Sequence, residues 1–128
     1  MEEQTTGSKK KFDLEERLID FGVRILNVVE SLPKTAIGAH VAGQLLRCGT
    51  SPVANYAEAH AAESRADFVH KMKVSLKELR ETRVWLLLIE RKGMAGRPEK
   101  TKPILDECNE LISIFVASIR TAIRNREK

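Results

Sequence analysis

The sequence is poor in aromatic residues and has no long apolar run. Aromatic residues make up 5% of the 128 residues, whereas hydrophobic residues make up 42%, so a core must be built from leucine, isoleucine, valine and alanine. The longest apolar run, VWLLLI, is far shorter than the ~20 residues that cross a bilayer, and the N-terminus lacks the pattern of a signal peptide. We therefore expect a cytoplasmic protein without a membrane segment, and a chain of this length forms one domain.

The motifs of common enzymes are missing as well. The sequence has no Gly-rich phosphate loop, no CxxC pair and no nucleophile elbow. Its two cysteines, Cys48 and Cys108, lie on apolar helical stripes, which predicts buried free thiols. Asp67 and His70 have the spacing of bundle di-iron sites and share a helical face with Glu63, but no other helix supplies a second acid-x-x-His element. Neither enzymatic activity nor a metal or other cofactor is therefore expected.

The apolar periodicity predicts four helices. Residues 1 to 11, MEEQTTGSKKK, are polar and without periodicity, which indicates a flexible basic tail before a domain of residues 12 to 128. Beyond this tail, four stretches repeat apolar residues at three-four spacing and are joined by short connections. The first is predicted to be capped by Asp13, and the third, which is the longest, to run from the N-cap Ser64 to about Lys92. This pattern predicts an all-α, antiparallel four-helix bundle.

The stretch RCGTSPVANYAEA interrupts the second helical pattern. Gly49 suits the residue after a helix end, Ser51 is a good N-cap, and Pro52 fits a first turn. The second helix is therefore predicted to stop or kink here and then restart.

Three polar residues lie on faces predicted to be covered. Arg83 falls in the middle of the third helix's core stripe of Phe68, Met72, Leu76, Leu79 and Leu86, and Asn55 and Glu58 are embedded in an Ala-rich segment. A buried guanidinium without a partner costs several kcal/mol. We therefore expect Glu58 or another helix-borne carboxylate to pair with Arg83 inside the bundle.

A second apolar set on the third helix points away from the core stripe. It consists of Val74, Val84, Trp85 and Leu88. A single small bundle has no other element to cover these side chains, which indicates a subunit interface in a homo-oligomer. The alternative is that they are scattered surface apolar residues.

Basic residues recur at helical spacing on two helices. The formal net charge is +4, which permits binding to nucleic acid without requiring it. The candidate phosphate contacts are Lys73, Lys77, Arg80, Arg120 and Arg124. The alternative is a solvated charged face, because Glu78, Glu81 and Glu90 are close in sequence and would dilute the field.

Four segments taken together resemble one known family. LPKT, QLLRCGTSPVANYAEA, ESRADFVHK and LKELRETRVWL are similar to segments of the bacterial four-helix-bundle proteins encoded in the intervening sequences of 23S ribosomal RNA genes. Members of that family also resemble the bundle-shaped accessory proteins of diversity-generating retroelements. TSPVANYAEA departs from the family, which more often has a Val-Gly pair there.

This resemblance implies a homo-oligomer, in particular a ring-shaped pentamer, and an association with ribosomal RNA. Together with the residues above, it predicts a non-enzymatic oligomeric bundle that associates with RNA through basic helix faces. The second hypothesis is a scaffold or accessory subunit that recruits a protein partner and has no direct role with nucleic acid.

Overall fold

Four helices joined by short connections make up the structure. A computed structural model describes the backbone of residues 6 to 126 and the side chains of residues 14 to 125. Consecutive helices pack on each other, and α4 also contacts α1. Within the described residues the chain is all-α, and the predicted four-helix bundle is confirmed. Its elements are α1 (Thr6–Ser31), α2 (Ala36–His60), α3 (Arg65–Lys92) and α4 (Lys102–Arg126), with a 3-10 helix (Pro98–Lys100) before α4.

The first helix begins earlier than the sequence indicates. Asp13 lies inside α1, so its predicted role as an N-cap is wrong. Of the predicted tail, residues 6 to 11 belong to the first turns of α1, and residues 1 to 5 lie outside the described part of the chain. These turns have no apolar periodicity, which is the signal by which a helix is recognised in a sequence. The flexibility of the tail stays a prediction.

α2 continues through the stretch where a stop or a kink is predicted. Gly49, Ser51 and Pro52 are all inside the helix, so the predicted stop is wrong, whereas the predicted kink stays a prediction. Pro52 removes one backbone donor from a helix that otherwise continues. A Cβ on Gly49 would lie 2.7 Å from Cγ2 of Ile25 on α1. The glycine therefore serves the close approach of α1 and α2, and it does not end a helix.

Polar caps and one glycine set the ends of the helices. The Ser64 hydroxyl accepts a hydrogen bond from the backbone amide of Asp67 at 3.0 Å, which confirms the predicted N-cap of α3. Thr35 caps α2 in the same way, by accepting from the amide of Gly38 at 3.1 Å. Gly93 follows α3 with a φ of 75°, a left-handed conformation that favours glycine and ends the helix after Lys92.

One stripe of each helix forms the core. In α3, Met72, Leu79 and Leu86 are buried as predicted, and Phe68 and Leu76 are half-buried against the core. No helix within residues 6 to 126 combines the length and the apolar character needed to cross a membrane. The largest hydrophobic side chains of the core are Leu18, Phe21, Ile25, Leu45, Met72, Leu79, Leu86, Ile89, Leu111 and Phe115.

Adding a methyl group at Gly49 should destabilise the bundle. In Gly49→Ala the new Cβ forces Ile25 to move, and overpacking of this kind costs about 1–3 kcal/mol. Gly43→Ala is the matched control on the same helix, because a Cβ there meets no atom within 4 Å and alanine stabilises an exposed helix position by about 0.5–1 kcal/mol. Urea unfolding of both variants, followed by circular dichroism at one protein concentration, measures the difference. If Gly49→Ala were as stable as Gly43→Ala, the close contact of α1 and α2 would be contradicted.

Candidate nucleic-acid interface

The register of α3 against α4 decides which basic side chains come together. Two contacts fix it: Arg83 Nε donates to Asn109 Oδ1 at 3.0 Å, and the Cys108 thiol donates to the Leu79 carbonyl at 3.4 Å. Arg83 therefore marks the flank of α3 that faces α4. Because the two helices are antiparallel, residues later in α4 lie beside residues earlier in α3.

This register places basic residues of both helices on one side of the bundle. Arg120 and Arg124 lie roughly three to four turns beyond Asn109, beside the first turns of α3. At 100° per residue, Arg80 is about 60° and Lys73 about 80° from Arg83 around α3, whereas Lys77 is about 120° away, toward solvent. Four of the five predicted phosphate contacts thus share a flank with Arg83. We call this set the basic face: Lys73, Arg80, Arg83, Arg120 and Arg124, all exposed.

Two of the three carboxylates expected to dilute this field, Glu78 and Glu81, form ion pairs on another flank, whereas Glu90 is in no salt bridge among the described residues. Arg47 of α2 binds Glu78 at 3.1 Å and also binds Glu81. On the opposite side of the bundle, Arg17 of α1 binds two carboxylates of α4.

Arg17 makes three hydrogen bonds to these two carboxylates. Its Nε and Nη2 donate to Glu107 at 2.9 and 2.8 Å, and Nη2 also donates to Glu110 at 2.7 Å. The hydrogen bond to Glu107 raises the pKa of Arg17 above its ordinary value. Among the described residues, the salt bridges include none of the five predicted phosphate contacts: Lys73, Lys77, Arg80, Arg120 and Arg124.

The predicted buried polar cluster is not formed. Arg83 is exposed at the α3–α4 seam, and Glu58 is exposed on α2 and pairs with Lys71 at 2.6 Å. Asn55 is half-buried and donates to the hydroxyl and carbonyl of Ser51 on its own helix. Position 83 lies at the edge of the core stripe, and Thr82 takes the buried place beside it, so the expected pairing of Arg83 with Glu58 is wrong.

Short hydroxyl side chains are the buried polar groups of the described chain. Thr82 donates to the Glu78 carbonyl at 2.8 Å, Ser75 to that of Lys71 at 3.1 Å, and Thr101 to that of Pro98 at 3.2 Å. Within residues 14 to 125 every buried side-chain nitrogen and oxygen has a partner. The core therefore needs no internal ion pair.

The four residues assigned to a subunit interface differ in exposure. Val84 and Leu88 are half exposed, whereas Val74 and Trp85 are half-buried. Trp85 packs against the core, donates from Nε1 to Glu81 at 3.1 Å, and meets the ring of His40 edge-on at 6.0 Å. Their assignment to a subunit contact stays a prediction.

A cleft and an additional arginine lie at the Arg124 end of the basic face. Arg65, the first residue of α3, is exposed there, and it is not among the candidates predicted from the sequence. The spacing could have identified it, because Arg65 precedes Arg83 by five helical turns and therefore lies on the same flank of α3. The cleft has a volume of about 740 Å³ and lies between the end of α2, the start of α3 and the second half of α4. Its polar and aromatic lining includes His60, Arg65, Phe68, Ser118, Thr121 and Asn125.

The two cysteines and the acidic residues are candidate nucleophiles and metal ligands within the described part of the chain. Cys48 and Cys108 are buried and free, and burial raises the pKa of both thiols, that of Cys108 to about 12. A protonated, inaccessible thiol is a poor nucleophile. Within the described residues, no three His, Cys, Asp or Glu side chains, including Glu63, Asp67 and His70, come together to hold a metal ion.

These features define an all-α four-helix-bundle protein with one basic flank. The family model of the 23S rRNA-intervening sequence protein matches residues 10–117, and the chain belongs to this family. The fold is similar to the crystal structure of a protein with unknown function from the S23 ribosomal protein family of Bacteroides thetaiotaomicron. The TM-score is 0.76 at 35% sequence identity, and the match covers 82% of this chain and 96% of that one. No curated protein matches the chain.

The buried thiols should make the fold less stable at alkaline pH. An unfolded cysteine loses its proton near pH 8.5, whereas folded Cys108 keeps it up to about pH 12. Since the folded state binds more protons between these values, the free energy of unfolding should fall as pH rises, by at most about 1.4 kcal/mol per pH unit for this thiol. Urea unfolding of the wild type and Cys108→Ala from about pH 8 to about pH 11 tests this. Equal slopes in the two proteins would contradict it.

Proposed function

We propose that this protein is a non-enzymatic homo-oligomer that associates with RNA through the basic face of each subunit. The observation that supports this is the separation of charge around α3 and α4. Arg47 and Arg17 bind four carboxylates on the outer flanks of α3 and α4. The cations of the basic face lie between these flanks. Clustered lysines and arginines attract a phosphate backbone and release its counterions.

The RNA is proposed to be ribosomal. Support comes from the family, which is that of the 23S rRNA-intervening sequence protein, and from a relative of known structure assigned to the S23 ribosomal protein family. A role with ribosomal RNA is carried out in the cytoplasm.

The binding mode follows from what the basic face presents. Its residues are cationic, and the nearest large rings of α3, Phe68 and Trp85, are half-buried against the core. Stacking of bases on aromatic side chains is how many proteins read single-stranded RNA, and the basic face has no ring for it. We therefore expect affinity to come from phosphate contacts, with any preference for one RNA set by its shape.

Oligomerisation would strengthen this binding. The resemblance to ring-shaped pentamers implies several copies of the basic face in one particle. Each copy adds its own phosphate contacts, and contacts made by linked sites reinforce one another. A modest charge on one chain is then enough for an RNA-binding particle.

The alternative function, recruitment of a protein partner, is favoured by the exposed side chains of Val84 and Leu88. Apolar side chains of this size on an outer helix face are typical of protein contacts. Binding through them is insensitive to salt, whereas binding to phosphates weakens steeply with salt.

Removing two cations from the basic face should weaken RNA binding. In Arg120→Gln/Arg124→Gln we expect a loss of affinity of about tenfold or more. The slope of log K against log salt should decrease by about 1.4–1.8 for each copy of the basic face that contacts the RNA, since each lost phosphate contact contributes about 0.7–0.9. The control, Arg24→Gln/Lys102→Gln, removes the same charge from cations that pair with Asp20 and Asp106. Fluorescence anisotropy with a 23S ribosomal RNA fragment and an unrelated RNA of equal length, over a salt series, gives both quantities.

Three results are informative. Equal weakening by the two double variants would mean that net charge alone acts, and it would overturn the assignment of the basic face. Tighter binding of the 23S fragment than of the unrelated RNA would support the ribosomal target. Absence of binding to either RNA at low salt would overturn the RNA role and leave the protein scaffold as the better hypothesis.

A further inference from the structure

Two patches of exposed apolar side chains lie on different sides of the bundle. The first, which we call the α1 patch, consists of Ile19, Val23 and Leu26 on α1 with Leu46 on α2, each 40 to 50% exposed. The three α1 residues follow one another at helical spacing. Ile19 and Leu26 are one turn either side of Gly22, which faces Val53 of α2. The patch therefore runs along the outside of the α1–α2 contact.

The second patch lies where the start of α2 meets the end of α3. It consists of Ile37, Val84 and Leu88, which are 62, 51 and 50% exposed, and we call it the α3 patch. The edge-on contact of His40 with Trp85 brings Ile37 toward Leu88, because Ile37 is one turn before His40 and Leu88 one turn after Trp85. Val84 lies one turn before Leu88 on α3. Ile37 and Leu46 are nine residues apart, about two and a half turns, so the two patches lie on opposite sides of α2.

The charges around the two patches are opposite in sign. Glu15, Glu16 and Glu30 are exposed within one helical turn of Ile19 or Leu26. The neighbouring arginines of α1 are engaged elsewhere: Arg24 pairs with Asp20, and Arg17 binds α4. The α1 patch therefore has an acidic rim.

The rim of the α3 patch is basic. Arg91 and Lys92 are exposed one turn beyond Leu88, and Lys77 is exposed two turns before Val84. The carboxylate next to this patch, Glu81, is bound by Arg47 and by the Trp85 indole. A patch with an acidic rim and a patch with a basic rim are complementary to each other, whereas either patch against itself brings like charges together.

We infer that the α1 patch of one copy of this chain binds the α3 patch of the next. This inference rests on the homo-oligomeric part of the proposed function, and it names the two surfaces that meet. Because the surfaces are different, the contact is head-to-tail, and repeated head-to-tail contacts form a closed ring or an open chain. Arg120 and Arg124 belong to neither patch, so every copy keeps them free to contact RNA.

Two variants with one blocked patch each provide the test. Val23→Lys places a cation against the basic rim of the partner patch, and Leu88→Glu places an acid against the acidic rim. Each variant alone should lose the oligomer and run as a monomer of the 14.4 kDa chain. Mixed in equal amounts, the intact α1 patch of Leu88→Glu should bind the intact α3 patch of Val23→Lys, and assembly should stop at a dimer. Size exclusion coupled to light scattering measures all three masses.

Controls separate a lost contact from a lost fold. Ser113 is exposed on α4 outside both patches, so Ser113→Lys and Ser113→Glu should assemble as the wild type does. Circular dichroism checks that the patch variants keep their helices. If either does not fold, Ile19→Lys and Val84→Glu, at positions that are also exposed, replace the pair.

Monomeric single variants whose mixture gives a dimer would support the head-to-tail contact. A mixture that stays monomeric would overturn it, and so would full assembly of either variant. Failure of the proposed function gives different results. A wild-type chain that is always monomeric overturns the homo-oligomeric part of the proposed function. An oligomer that binds no RNA overturns the proposed RNA role and does not affect the inferred contact of the two patches.

Discussion

The structure depends on one constraint, which is that a helix in a four-helix bundle buries a single stripe. With few aromatic side chains available, that stripe consists mostly of leucine and isoleucine. Such side chains fill a core well when the helices approach closely, and the absent side chain of Gly49 provides this at the contact with Ile25. What remains on the outer faces of each helix is not needed for folding and is free to serve binding.

The surface ion pairs matter for where they place charge more than for stability. The exposed pairs of Arg47 contribute about 0–1 kcal/mol each, so they do not hold the bundle together. Arg47 binds two carboxylates of α3 on the side that faces α2, and Arg17 binds two carboxylates of α4 on the side that faces α1. The flank of α3 that faces α4 is left with the cations of the basic face. A chain whose net charge is only +4 therefore has a basic region on its surface.

The proposed self-association and the proposed RNA binding use neighbouring parts of this surface. Arg120 and Arg124 lie outside both apolar patches, whereas Arg80 of the basic face lies one helical turn before Val84 of the α3 patch. Trp85 illustrates the difference between packing and contact, because its ring is half-buried against the core, whereas its neighbours Val84 and Leu88 are half exposed. A substitution at Trp85 would disturb the core, which makes its exposed neighbours better probes of assembly.

By itself the sequence determined the number of helices, the cap at Ser64, the end of α3 near Lys92, most of the core stripe and the burial of both thiols. These features follow from three-four spacing and from the hydrogen-bonding needs of helix ends, which are local properties of the chain. The start of α1, the continuation of α2 through Pro52 and the exposure of Arg83 were decided only by the tertiary structure. The tertiary structure also decided the basic face and the acidic and basic rims. The spacing of residues in the sequence shows which of them share one side of a helix, but only the packing of the helices shows which neighbouring helix that side contacts.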